Sequence, residues 1–232
     1  MKIGIFTDPH YSSAEITCGK RYNSQSLRKI EKAVNYFAEE KCDLILCLGD
    51  LIDREESHEK EIQNLRQVAA VLATSNIPTF CIMGNHDAFA FSVEEFYEIL
   101  GKERKPVDIS NEWVSLLFLD TCYFQNGIHY MPGDSDWTDT FLPNVEKLKN
   151  KLENLKSSVY IFLHQNLDPN IPDNHRVAND EVIRKIIETS GIVKKVYQGH
   201  YHPGNKTELN GIEYVTFPAM CENEKAYFIV KL

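Results

Sequence analysis

The chain has 232 residues, 43% of them apolar, a net charge of −9 and an isoelectric point near 5.4. That length is long for one α/β domain, short for two, and sufficient to bury a sizeable core. The acidic balance argues against a general nucleic-acid-binding surface, which needs a basic face, and no apolar run approaches membrane-spanning length.

Residues 2–7 read as a first strand; the run Met1-Lys2-Ile3-Gly4-Ile5-Phe6 is too short and too soon polar for a signal peptide. The strand ends at Thr7-Asp8-Pro9-His10, and a polar loop containing Cys18-Gly19-Lys20-Arg21-Tyr22 follows. Leu27, Ile30, Val34 and Phe37 recur at helical spacing and predict an amphipathic helix over about residues 24–40, capped by Asn23 or Ser24. Leu44 to Leu48 form an unbroken apolar run, a buried strand ending at Gly49-Asp50-Leu51-Ile52-Asp53-Arg54. The charged run Glu55–Glu61 opens a helix continued by Ile62, Leu65, Ala69 and Leu72 and broken at Asn76-Ile77-Pro78. Phe80–Met83 is a short strand running into Gly84-Asn85-His86-Asp87. A glycine there permits a tight turn, and three polar side chains suited to metals or protons then follow in succession.

Residues 92–100 read as a short helix, and Leu116–Leu119 as a strand ending at Asp120. Residues 120–143 have no clear period and carry Tyr123, Phe124, Tyr130 and Trp137. So long an irregular loop is expected to be functional or mobile, on the active side of the domain. Its aromatics either stack a nucleobase, form a lid, or pack the loop to the body. A helix on Val145, Leu148, Leu152 and Leu155 precedes the strand Val159–Leu163, which ends at His164-Gln165-Asn166. Val182, Ile183, Ile186 and Ile187 give another helix, and Val193–Gln198 a strand ending at Gly199-His200-Tyr201-His202. The tail has hairpin rhythm: Lys206–Leu209, a turn at Asn210-Gly211, Ile212–Phe217, then a last strand from Ala226 to Leu232.

Early strands alternating with helices predict parallel pairing, and the C-terminal meander predicts antiparallel pairing. Together they give an α/β fold of mixed sheets covered by helices. No linker, repeat or low-complexity segment divides the chain, so residues 1–232 are expected to form one domain. The six cysteines include no C-x-x-C pair, and Cys47 and Cys81 fall in buried strands. A reducing, cytoplasmic setting without disulfides is expected.

Five predicted strands end in polar clusters: Asp8/His10, Asp50/Asp53, Asn85/His86/Asp87, His164 and His200/His202. Five of the eight histidines lie in them, whereas His58, His129 and His175 lie in loops or at helix edges. In open α/β sheets, ligands bind in the crevice at the carboxyl ends of strands, so these clusters can converge. Imidazole nitrogens with carboxylate and amide oxygens, and no thiolate, suit Zn, Mn or Fe in a catalytic site. Asp8, His10, Asp50, Asn85, His164, His200 and His202 are too many donors for one ion. Two ions about 3.5–4 Å apart, sharing Asp50 as bridge, could use them all and act on a phosphoryl group. Two carboxylates against two divalent cations leave the centre positive, which attracts phosphate esters and acidifies bound water.

These motifs, in this order from residue 8 to residue 202, resemble those of the calcineurin-like metallophosphoesterase superfamily. The resemblance implies a sandwich of two mixed β-sheets flanked by helices. It implies one metal held by Asp8, His10, Asp50 and His202, and a second held by Asp50, Asn85, His164 and His200. It further implies that His86 contacts the phosphate and protonates the leaving oxygen with Asp87 orienting it, that Asp53 fixes an imidazole or a metal water, and that a metal-bound hydroxide attacks phosphorus in line. Asp53 and Asp87 also read as plain turn-capping carboxylates. Arg54 either grips a phosphate oxygen or opens the next helix on the surface. Arg21-Tyr22-x-x-x-Ser26-Leu27 is similar to a stretch of the manganese-dependent ADP-ribose/CDP-alcohol diphosphatase branch, which would put Arg21 and Tyr22 on substrate, or is a helix lead-in. Gln165-Asn166 after His164 departs from the second His of some relatives and weakens a cyclic-nucleotide reading.

The expected activity is hydrolysis of phosphodiester or pyrophosphate bonds in small nucleotide-like substrates. Cyclic-nucleotide phosphodiesterase, phosphomonoesterase and DNA nuclease are the alternatives, and a non-enzymatic binding module is the competing class.

Overall fold

In a computed structural model that describes residues 1–232, the apolar runs assemble into two mixed sheets. The first holds β1 (Lys2–Phe6), β2 (Leu44–Cys47) and β3 (Thr79–Cys81) in parallel. The second is ordered β4 (Ile109–Ser110), β5 (Val114–Phe118), β6 (Ser158–Phe162), β7 (Val193–Gln198), β9 (Ile212–Thr216), β8 (Asn205–Leu209). Its four inner strands are parallel and both edges antiparallel. The last strand, β10 (Tyr227–Lys231), crosses back and pairs antiparallel with β1. The expected C-terminal meander is therefore only a hairpin, β8–β9, followed by a return to the other sheet.

The alternation of side chains along each strand builds the layers. Ile3, Ile5, Leu44, Leu46 and Leu48 face the second sheet, where they meet Leu116, Phe162, Tyr197 and Phe217. Phe6, Ile45 and Cys47 point the other way, toward α1 (Ser26–Glu39), α2 (His58–Leu72) and α4 (Val93–Leu100). On the second sheet, Val159, Ile161 and Leu163 pack under α5 (Val145–Asn154) and α6 (Asp180–Ser190). β2 is apolar throughout because both its faces are covered. No helix is long and apolar enough to cross a membrane.

Two local differences bear on the site. Gly84-Asn85-His86-Asp87 opens a short helix, α3 (Asn85–Ala90), rather than a plain turn. Residue 25 caps α1 without a side-chain bond, since the Asn23 amide is turned instead to the His10 carbonyl at 2.7 Å and Asp53 Oδ2 at 3.0 Å.

Candidate metal centre

Beyond the strand ends the chain stays paired. Asp8 N–H donates to Gly49 O at 3.0 Å, His10 N–H to Asp50 O at 2.9 Å, and Gly199 N–H to His164 O at 3.0 Å. The loops after β1, β2, β6 and β7 are thus fixed against one another. Asp8, His10, Asp50 and His200 take left-handed backbone conformations, with φ of 52°, 46°, 54° and 63°. Each costs about 1–2 kcal/mol for an L-residue and persists only where the surroundings impose it. Glycine is required at two adjoining points. At Gly49, φ +113°, a Cβ would come 2.5 Å from His164 Nδ1; at Gly84 it would come 2.2 Å from Asp50 Oδ1.

The result is a buried nest of donors. Asp8, His10, Asp50, Asn85 and His164 are at most 1% exposed, and His200 and His202 at most 8%. Each aspartate uses one oxygen for the backbone and turns the other inward. Asp8 Oδ2 accepts from His200 N–H at 2.9 Å and Thr7 Oγ1 at 2.6 Å, leaving Oδ1 without a hydrogen bond, 3.6 Å from His202 Nε2. Asp50 Oδ1 accepts from His86 N–H at 2.9 Å, while Oδ2 lies 3.5 Å from His10 Nε2 and 3.2 Å from His164 Nε2. Asn85 Oδ1 is 3.2 Å from His164 Nε2.

The tautomers follow from the partners. His164 Nδ1 meets the Leu48 carbonyl at 2.7 Å and His202 Nδ1 meets Glu222 Oε1 at 2.5 Å. A carbonyl or carboxylate only accepts, so both rings carry their proton on Nδ1 and aim Nε2 inward. His10 Nε2 and His202 Nε2 stand 3.1 Å apart, and His200 Nε2 has no partner. Inward nitrogens and an orphaned buried carboxylate oxygen fit divalent cations. Three groups of donors lie within 4.8 Å of one another: His10/Asp50/His86, Asp50/His164/His200, and His10/His202/Cys221. The last includes a thiol that sequence reasoning left out.

Charge balance shapes titration here. Burial opposes ionisation of Asp8, but the imidazoles of His10 and His202, facing Oδ1 at 3.7 and 3.6 Å, outweigh it and hold the carboxyl well below the usual range. Asp50 is likewise buried and likewise lowered, by His164 and His86. Burial pushes His10 down to about 4, whereas Asp50 outweighs burial at His164 and lifts it to about 9.

His86 stands at the rim, its Nδ1 donating to Asp53 Oδ1 at 2.8 Å. Burial lowers its basicity, but Asp50 and the Asp53 bond more than offset this and raise its pKa. Asp87, the expected orienter of His86, does not touch it. Its carboxylate accepts instead from Gly84 N–H at 3.0 Å and Ile52 N–H at 3.2 Å, tying the third motif to the second. Burial and the nearby Asp50 push Asp87 up to about 7.

A cavity of about 530 Å³ opens over the nest, lined among others by Lys20, Arg21, Trp137, His175 and Glu222. Arg21 Nη1 also lies 3.6 Å from Asp53 Oδ2. The other two substrate-contact candidates are elsewhere. Tyr22 is 40% exposed outside the cavity, and Arg54 donates to the Asp134 carbonyl at 2.8 Å along a separate acidic groove. Within the 120–143 segment, Trp137 alone reaches the cavity, its ring 5.6 Å from His200 and 5.0 Å from His175; Tyr130 is buried against Phe89 and Phe124. His175 lies outside the motifs of the sequence and carries no signal there; a 3₁₀ turn at Asp173–His175 brings it 5.2 Å from the His200 ring.

The family model for calcineurin-like phosphoesterases matches residues 1–204. The chain belongs to the calcineurin-like phosphoesterase family. It is a hydrolase of phosphoesters, and the family is metal-dependent. A Haemophilus influenzae protein named 3',5'-cyclic adenosine monophosphate phosphodiesterase CpdA is 26% identical over 229 residues, covering 95% of this chain and 77% of that one. A probable cyclic nucleotide phosphodiesterase of Psychrobacter arcticus is 24% identical over 233 residues, covering 95% and 76%. The crystal structure of a dimetal phosphatase from Danio rerio superposes with a TM-score of 0.82 at 18% identity, covering 100% of this chain and 92% of that one. At that identity the likeness is one of fold: the phosphoesterase has the expected two-sheet sandwich.

Proposed function

We propose that this phosphoesterase is a binuclear enzyme cleaving phosphodiester bonds of small nucleotides. The observation that carries the reading is Asp50, whose Oδ2 lies between His10 Nε2 at 3.5 Å and His164 Nε2 at 3.2 Å. Asp8, His10, Asp50 and His202 would hold one divalent cation, and Asp50, Asn85, His164 and His200 the other. When bound, such a pair supplies charge to the phosphate and an acidified water as nucleophile. His86, held by Asp53, donates a proton to the leaving oxygen, and the Asp50 and Asp53 charges beside it favour the protonated ring and raise its pKa. Lys20 and Arg21 offer cations to phosphate oxygens at one wall of the cavity, and Trp137 offers a face for a base at another.

The cyclic-nucleotide names of two relatives aligned over 95% of the chain favour a nucleotide diester. A diphosphate-linked substrate, which the sequence favours over a cyclic nucleotide, rests on Arg21-Tyr22; Arg21 lines the cavity but Tyr22 lies outside it. We place this activity in a single domain, in a reducing cytoplasm that keeps the six cysteines as thiols.

The test is turnover of cyclic AMP, ADP-ribose, CDP-choline, a phosphomonoester and single-stranded DNA with Mn added, by wild type and Asp50→Asn. The expected result is fastest cleavage of the cyclic diester, and neither turnover nor bound metal in the variant. Preference for the monoester, or wild-type turnover by Asp50→Asn, contradicts the proposal.

A further inference from the structure

The family match ends at residue 204, yet the chain returns to the centre after it. A 3₁₀ turn, Met220–Glu222, is laid against the loop after β1. Met220 N–H donates to Thr7 O at 2.9 Å and Cys221 N–H to Asp8 O at 3.1 Å. From the other side, the ammonium of Lys29, a lysine 1% exposed, donates to the Met220 and Cys221 carbonyls at 3.0 Å each. Tyr22 N–H adds a bond to the Cys221 carbonyl at 3.0 Å. Burying a lysine is costly unless its charge is satisfied, and here its hydrogen bonds clamp one turn. That turn delivers Glu222 Oε1 to His202 Nδ1 at 2.5 Å.

The consequence is an asymmetry between the two halves of the centre. His164 is oriented by a neutral backbone carbonyl, Leu48 O. His202 is oriented by a carboxylate. An anionic acceptor behind an imidazole fixes the tautomer and strengthens the donor nitrogen on the far side. Lys20 Nζ shares the same Glu222 oxygen at 3.3 Å, and at 59% side-chain exposure it is a solvent-screened partner.

We propose that Glu222 is a positioning residue for the subsite built on Asp8, His10 and His202, and that it raises the affinity of that subsite alone. The inference rests on the binuclear reading above. Its test uses the full chain and Mn alone as probe, by calorimetric titration of wild type, Glu222→Ala and Glu222→Gln, with nitrogen NMR of the His202 ring as a second readout. Wild type is expected to bind two ions. Glu222→Ala should lose about 10–100-fold at one site and nothing at the other, and its His202 ring should become a mixture of tautomers. Glu222→Gln keeps an accepting oxygen without the charge, so it should restore the single tautomer and recover part of the affinity. Two ions bound at wild-type affinity by Glu222→Ala would overturn this inference and leave the binuclear reading standing. Equal weakening of both sites would also overturn it, marking a structural role for the turn. A wild-type chain that binds fewer than two ions would overturn both.

Discussion

His86 is the residue on which chemistry and structure separate most cleanly. Its backbone N–H holds Asp50 and its ring Nδ1 is taken up by Asp53, so although it comes within 4.8 Å of His10 and Asp50 it sits at the edge of the nest, with a partner outside it. His86→Ala should retain metal and lose about 10²–10⁴-fold in kcat, read from turnover beside metal analysis. The pH profile separates the two neighbouring aspartates. A raised pKa extends the protonated form of His86 to higher pH, so removing the Asp53 charge should move the basic limb of kcat to lower pH. Asp87→Asn should leave that limb in place and instead destabilise the fold by about 1–3 kcal/mol, because an amide NH₂ would face a backbone N–H. If Asp87→Asn moves the limb and Asp53→Asn does not, the assignment is reversed. Which carboxylate meets the imidazole was not legible in the sequence. Asp53 and Asp87 each follow a strand end by a few residues, and only the paths of the loops decide between them. Glu222 and His175 were illegible for another reason: each reaches the centre on a short 3₁₀ turn with no motif around it.

At the scale of elements, short apolar runs closed by polar residues were the informative pattern, since strands covered on both faces are apolar throughout. It located β1, β2, β6 and β7 to within a residue or two, and with them the ends that carry the donors. The crossing of β10 to the first sheet had no such signature, because a short apolar strand fits either sheet. The cap of α1 was misread because Asn23 has a competing use at the centre. Gly4 shows how closely helix and sheet approach: a Cβ there would lie 2.4 Å from the Phe37 ring of α1. Gly4→Ala should therefore cost about 1–3 kcal/mol in urea denaturation, with catalysis per folded molecule unchanged. An unchanged urea midpoint would mean that α1 is free to shift.

For the whole molecule, the centre is where both sheets and the returning tail are joined, so occupancy is coupled to stability. His164 is raised to about 9 in the metal-free chain, Asp50 outweighing burial. A raised histidine stabilises fully below its unfolded value near 6.5 and loses that contribution as pH climbs through about 9. The melting temperature of the metal-free chain should fall over that interval, and saturating Mn should abolish the fall by replacing the proton. Uptake at pH 7.5 should release about one proton per chain from this ring, measured in weak buffer; His10, near 4, has none to release. Asp8 and Asp50 are lowered, so their contribution is lost at the acid end instead.

The most direct measurement is anomalous diffraction from a crystal soaked in Mn. Two peaks about 3.5–4 Å apart, with Asp50 touching both, His10 and His202 on one side and Asn85 and His164 on the other, is the expected result. A single peak, or two too widely separated for one carboxylate to reach, would contradict it.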